Sequence, residues 1–338
     1  MADRPDSPAH DQRQQVPDFY IVGHAKCGTT ALYEMLRQHP QIYMPDYAFG
    51  AGKEPWFFSR DNPQPQRTPE RSVAFTGRRT MSLEEYLSLF EQAQPGQRVG
   101  EASTSYLWSP TAAARIAELR PDASIIAILR EPASFLRSLH LQLLQNKNEV
   151  ETDFRTALTL DGPRREGRMI PHEMYWPAAL IYSDRVRYVE QLRRYEQAFG
   201  RDRMLVLIYD DLRSDNVATV RRVLRFLDVD DSVSLQAEWV NPSGLRRRDP
   251  VAMLTKKVRD GREPGFATVR RMLDAVATDR VRETVMPRLR RKLLWEDAPP
   301  PDEELMREIR ERYKGEVQAA SEYLGRDLVS LWGYDKLG

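Results

Sequence analysis

Apolar and polar positions fall into two kinds of segment. Residues 18–22 read Asp-Phe-Tyr-Ile-Val and stop at Gly23, the pattern of a short strand ending in a tight turn. From Thr29 to Gln38, Leu32, Met35 and Leu36 recur at helical spacing. Residues 124–129 (Ser-Ile-Ile-Ala-Ile-Leu) and 203–208 (Arg-Met-Leu-Val-Leu-Ile) are strand-length apolar runs without alternation, as expected of strands covered on both faces. Helical period recurs over 82–93, 110–119, 133–147, 183–198 and 216–228, and again over 302–323 after the break at Pro299-Pro300-Pro301. Strands alternating with helices predict an α/β fold, a three-layer αβα arrangement around a central parallel sheet with helical additions toward the C-terminus. Segments 45–80 and 161–182 show little periodicity and predict long ordered loops. The basic stretch 250–295 is helix-like and predicts a helical insertion at 250–300, a candidate cover for an acceptor site. The expected organisation is a disordered tail at 1–16 followed by one domain, 17–338.

Composition narrows the classes. With 51 Lys and Arg against 50 Asp and Glu in 338 residues, the net charge of +1 gives no global attraction to nucleic acid or to an anionic membrane. The single cysteine, Cys27, cannot form an intramolecular disulfide, and no Cys/His spacing matches a zinc site, so no metal is expected. No apolar stretch near the N-terminus reads as a signal peptide and no run approaches a membrane span. The expectation is a cytoplasmic protein without integral membrane contact.

The chemistry begins at Gly23-His24-Ala25-Lys26-Cys27-Gly28-Thr29-Thr30. This nearly matches GxxxxGK[ST], but Thr29 stands at the lysine position and the only lysine lies three residues earlier. A strand, glycine loop and helix present backbone N–H groups and a helix N-terminus to an anion whichever lysine is used. A lysine inside such a loop faces the atom next to a bound 5'-phosphate, which points to a donor carrying a transferable group there. A glycine-rich turn with a solvated lysine fits the local pattern too. Arg130 ends the apolar run 124–129, where doubly wound sheets bind ligands, and its forked guanidinium suits a phosphate monoester that Ser138 could share. A strand-end salt bridge is the alternative for Arg130.

With these segments in order, the chain resembles the PAPS-dependent sulfotransferases (PAPS, 3'-phosphoadenosine 5'-phosphosulfate), and more the bacterial and heparan-sulfate-type members than the phenol and steroid branch. The match rests on residues 21–32, on His39-Pro40-Gln41-Ile42, on Lys53-Glu54-Pro55-Trp56-Phe57-Phe58 and on Ile128-Leu129-Arg130-Glu131-Pro132 with Ser138. Weaker echoes lie at Gly100–Leu107 and at Leu324–Leu328 with Trp332. The resemblance implies a P-loop-like fold and transfer of a sulfuryl group from PAPS to a hydroxyl or amine of a small-molecule, glycolipid or carbohydrate acceptor, leaving adenosine 3',5'-bisphosphate. It implies Lys26, Cys27, Gly28, Thr29 and Thr30 around the 5'-phosphosulfate, and Arg130 and Ser138 at the 3'-phosphate. Residues 241–248 resemble a late glycine-and-basic loop over that phosphate, adding Arg246 and Arg247. Glu54 becomes the general base, Lys26 the cation on the transferring sulfate, and Lys53 a positioning or sulfate-contacting group.

His140 and His172 are the alternative bases, since other branches use histidine. Trp56, Phe57, Tyr106, His140 and Tyr175 are candidates for the acceptor pocket, with core packing as the competing role for the aromatics. The chain departs from the family pattern in having Arg137 as an approximate second arginine, extra residues at 46–52, and a poorly matched 250–295. Acceptor specificity is therefore expected in 45–60, 161–182 and 250–295. The rival readings are a nucleotide kinase or NTPase, which would need a metal-binding aspartate such as Asp210 or Asp211, and a non-catalytic anion-binding module built on the arginines at 246–248 and 288–291.

Overall fold

A computed structural model describes residues 16–45, 53–59, 81–172, 174, 176–233, 235–236 and 299–337, with the backbone of 244–246 and 295–297. Five strands, β1 (Phe19–Ile21), β2 (Ile42–Tyr43), β3 (Arg98–Glu101), β4 (Ser124–Leu129) and β5 (Met204–Ile208), form a parallel sheet in the order β2-β3-β1-β4-β5. Every residue of β1 and β4 is buried, as their unbroken apolar runs require of strands covered on both faces. The chain runs from β1 out to β2 and back through β3 before crossing to β4. The switch in direction therefore falls between β1 and β4, where Ile21 at the end of β1 pairs with Ile126 and β4 runs on to Leu129.

Helices α1 (Thr29–Leu36), α2 (Leu83–Leu87), α3 (Ala112–Leu119), α4 (Pro132–Gln145), α5 (Phe154–Thr159), α6 (Asp161–Arg165), α7 (Tyr182–Arg185), α8 (Tyr188–Phe199), α9 (Tyr209–Ser214), α10 (Asn216–Phe226), α11 (Glu303–Leu324) and α12 (Leu328–Leu331) complete the described secondary structure apart from short 3-10 turns and a hairpin. Helices α3, α8, α11 and α4 pack in sequence as one layer, and α1 packs on α10. Local signals place several ends. Pro132 opens α4 behind a Glu131 side chain that accepts from the Ala133 and Ser134 N–H groups, and Gly325 closes α11 in the left-handed conformation. No helix of the described residues is long and apolar enough to cross a membrane.

Three expectations change. The expected loop 161–182 holds α6 and a 3-10 turn at Pro177–Leu180. The expected helix 183–198 is two helices, broken at Val186 and Arg187. β2 and β3 lack strand signatures because one has two residues and the other contains Arg98, Gly100 and Glu101. Gly100 is required there by packing: a Cβ would lie 2.1 Å from the Phe19 ring. Beyond the sheet, 244–246 pairs antiparallel with 295–297, and the strand at 244–246 abuts α4. The expected tail falls almost wholly outside the described residues, as do most of 250–300 and of 45–80.

Candidate active site

The chain leaves β1 at Ile21, and the Val22 N–H extends the ladder to the Ile126 carbonyl at 2.8 Å before the loop turns. Lys26 (φ 67) and Gly28 (φ 86) are both left-handed, which curls the loop into the start of α1. Gly28 is needed twice over, by its φ and because a Cβ would lie 2.8 Å from Leu212 Cδ2. It caps α1 without a side-chain hydrogen bond, so the first-turn N–H groups of the helix remain available to an anion.

Arg130, just past β4, reaches this loop. Its Nη1 donates to the Lys26 carbonyl at 2.8 Å, its Nε donates to Ser134 Oγ at 3.1 Å, and its guanidinium lies 4.7 Å from the Tyr209 ring centroid. Burial, and next the Arg130 charge, hold the Lys26 ammonium below its ordinary range. Two adjacent cations at a helix N-terminus favour a polyanion that relieves their repulsion. Ser138 is buried one turn beyond Ser134, the serine to which Arg130 donates. Partial burial, followed by Arg130, lowers Arg137, whose Nη2 donates to the Pro299 carbonyl.

The segment 53–59 supplies the opposite wall. Lys53 is buried beneath the cleft, with Nζ donating to Thr29 Oγ1 (2.9 Å) and Thr30 Oγ1 (3.0 Å) and 3.5 Å from Glu54 Oε1. Its ammonium thus stands beside the threonine that occupies the usual P-loop lysine position. Burial pulls Lys53 down, and Glu54 partly offsets this. The Glu54 carboxylate opens onto the cleft, its side chain 27% exposed. Its Oε2 accepts from the Trp56 indole (2.9 Å) and the Thr104 hydroxyl (2.8 Å).

Lys26, Gly28, Thr29, Thr30, Glu54 and Arg130 therefore line one cleft. So do Thr104, Gln142 and Tyr209, which sequence reasoning did not assign. Gln142 follows Ser138 by one helical turn, a spacing that could have flagged it, and its shielded Oε1 has no hydrogen-bond partner.

Other candidates sit elsewhere. The Cys27 side chain lies in the core, where burial pushes the thiol up to about 12, and the residue is absent from the cleft lining. Phe57 stacks on Tyr86 at 4.4 Å, and Tyr106 is fully buried beneath the cleft. His140, 2% exposed, meets the Tyr182 hydroxyl at 2.9 Å and stacks on Phe154. Tyr106 and His140 are interior groups and Phe57 is partly buried against the core, because aromatic spacing alone does not separate a core tier from a pocket wall. His172 is exposed and outside the cleft lining. The Arg246 backbone lies in the strand at 244–246 beside α4, while Tyr175 and Arg247 lie outside the described residues. The two acids that a metal-dependent kinase would use are engaged: Asp211 by Arg326 Nη2 at 2.7 Å and Asp210 by the Trp332 indole at 2.9 Å.

Known proteins resemble this chain. Mouse carbohydrate sulfotransferase 15 is 26% identical over 266 residues, covering 65% of this chain and 45% of its own. Human heparan sulfate glucosamine 3-O-sulfotransferase 6 is 29% identical over 215 residues, covering 64% and 53%. The chain thus spans about half the length of the curated relatives it matches. The crystal structure of a sulfotransferase from Alicyclobacillus acidocaldarius superposes with a TM-score of 0.54 at 29% identity, covering 72% of this chain and 93% of that one. The sulfotransferase family model matches residues 17–232, which spans the sheet and every cleft residue, and the chain belongs to that family.

Proposed function

We propose that the protein transfers a sulfuryl group from PAPS to a hydroxyl of a carbohydrate acceptor. The observation that carries this reading is a single cleft with cations and a bare helix N-terminus on one wall and the Glu54 carboxylate on the other. The names of the relatives, a carbohydrate sulfotransferase and a heparan sulfate glucosamine sulfotransferase, support a sugar acceptor.

In this reading the α1 N-terminus and Lys26 hold the 5'-phosphosulfate, and Arg130 with the α4 face takes the 3'-phosphate. The acceptor oxygen attacks sulfur in line as Glu54 removes its proton. An O–S bond forms, the bond from sulfur to the bridging phosphate oxygen breaks, and that oxygen leaves on adenosine 3',5'-bisphosphate. Lys26 offsets the charge that grows on the leaving oxygen. The engagement of Asp210 and Asp211 disfavours a kinase reading.

Calorimetric titration should show binding of adenosine 3',5'-bisphosphate in the absence of metal and much weaker binding of ATP with Mg²⁺. Radiolabelled PAPS offered with heparan sulfate and with a simple phenol should label the polysaccharide. Glu54→Gln should lower transfer roughly 10²- to 10⁴-fold while leaving the bisphosphate Kd unchanged. Preference for ATP–Mg²⁺ would defeat the donor assignment, and undiminished transfer by Glu54→Gln would defeat the base.

A further inference from the structure

The segment carrying Glu54 is fastened along its length to the turn that follows β3. The Trp56 N–H donates to Ser103 Oγ at 3.1 Å, and the Phe58 N–H donates to the Tyr106 hydroxyl at 3.3 Å. Tyr106 in turn donates to the buried Glu101 at 2.8 Å, and Ser59 and Ser105 share a 2.6 Å hydrogen bond. Trp56 is held in the left-handed region (φ 54), a strained conformation for a bulky residue that persists only where its surroundings enforce it. At Lys53 the same segment is tied to Thr29 and Thr30 of the donor loop.

The two donors on Glu54 converge on one oxygen. Thr104 Oγ1 and Trp56 Nε1 both point at Oε2, while Oε1 has only the longer ion pair to the buried Lys53 ammonium at 3.5 Å. A carboxylate held this way cannot rotate freely, and its less occupied oxygen is the one left for a proton. The other charged groups around it are Glu101 beneath the turn and Lys26 and Arg130 on the opposite wall.

We infer that Thr104 is the positioning residue for Glu54: its hydroxyl, with the Trp56 indole, occupies Oε2 and directs Oε1 to the acceptor proton. Trp56, whose strained backbone Ser103 holds, is the second arm of the same clamp. The inference rests on Glu54 being the base, and its test separates the two.

The probe is the indole ¹H–¹⁵N signal of Trp56, one of six tryptophans, assigned by its loss in Trp56→Phe and recorded with adenosine 3',5'-bisphosphate bound. In Thr104→Val, which removes the hydroxyl at nearly constant volume, the carboxylate is released from one side and the Trp56 signal should shift and broaden. The other five indoles and the bisphosphate Kd should stay as in the wild type. Thr104→Ser, which keeps the hydroxyl, should restore the wild-type signal. A Thr104→Val spectrum identical to wild type overturns the inference, as does a change that Thr104→Ser fails to reverse. Sulfuryl transfer by Glu54→Gln is measured alongside. Inactive Glu54→Gln with an unmoved indole defeats the clamp and keeps the base, whereas active Glu54→Gln with a moved indole defeats the base and, with it, the clamp's catalytic meaning.

Discussion

Glu101 and Arg185 are ionisable side chains buried without the full set of partners that interior charge usually has. Glu101 Oε2 accepts from Tyr86 and Tyr106, but Oε1 has no partner, and burial pushes the carboxyl up to about 7. Tyr20, Tyr86, Tyr106, Ser103 and Glu54 surround it. A carboxyl whose folded value is raised contributes stability that is complete below its unfolded value and lost as pH climbs through the folded one. The wild-type Tm should therefore fall from pH 5 to pH 8 relative to Glu101→Gln, which does not titrate. Parallel Tm curves for the two proteins would contradict this.

Arg185 lies 4.1 Å above the Trp108 ring, its Nε and Nη1 meet no hydrogen-bond partner, and burial pushes it down to about 9. Its charge also bears on His24 and Cys27 of the glycine loop. Because an unpaired interior charge opposes folding, Arg185→Met should raise the Tm of the free protein, by about 2 °C for each kcal/mol recovered. A lowered Tm would mean that packing on Trp108 outweighs the charge.

At the scale of elements, an internal ion pair ties the stretch after α4 to the rest of the layer. Arg164 Nη2 meets both oxygens of Glu149 at 2.8 and 2.7 Å, the two side chains are 1% and 0% exposed, and Tyr182 donates to Glu149 while meeting His140 of α4. Removing one partner leaves the other buried and unpaired. Arg164→Met or Glu149→Leu alone should cost about 3–5 kcal/mol in urea unfolding, and the double replacement should recover much of that loss. Additive losses would show that the two charges are not coupled.

This network explains why 161–182 reads as a loop. Its order comes from Glu149, Tyr182 and Asp161, the last accepting from the Tyr182 and Ser183 N–H groups, and not from any internal period. By contrast β1, β4 and α4 were readable, because a strand covered on both faces or a helix with one buried face writes its environment into its own residues, while β5, read as covered on both faces, is an edge strand with Met204–Val206 only partly buried.

For the whole molecule, the division between local and distant information falls across the cleft. Chain order and residue type alone determined the αβα architecture, the glycine loop and the presence of Lys26, Arg130 and Glu54, which line one cleft. Each of these depends on a few neighbours in sequence: an apolar run, a glycine at a turn, a cation or an acid at its end. Only the tertiary structure decided which groups meet. Parallel pairing of β3 with β1 brings the turn after Glu101 against segment 53–59, so Thr104 reaches a carboxylate fifty residues away and Tyr106 becomes a support beneath it. Packing of the C-terminal region engages Asp210 and Asp211 through Trp332 and Arg326, which no local pattern announces. Contacts with Glu101, Phe58, Tyr182 and Phe154 bury Tyr106 and His140, and Phe57 lies partly buried against Tyr86. Which face of an aromatic residue meets solvent is a property of its neighbours in space, and those neighbours lie far apart along the chain.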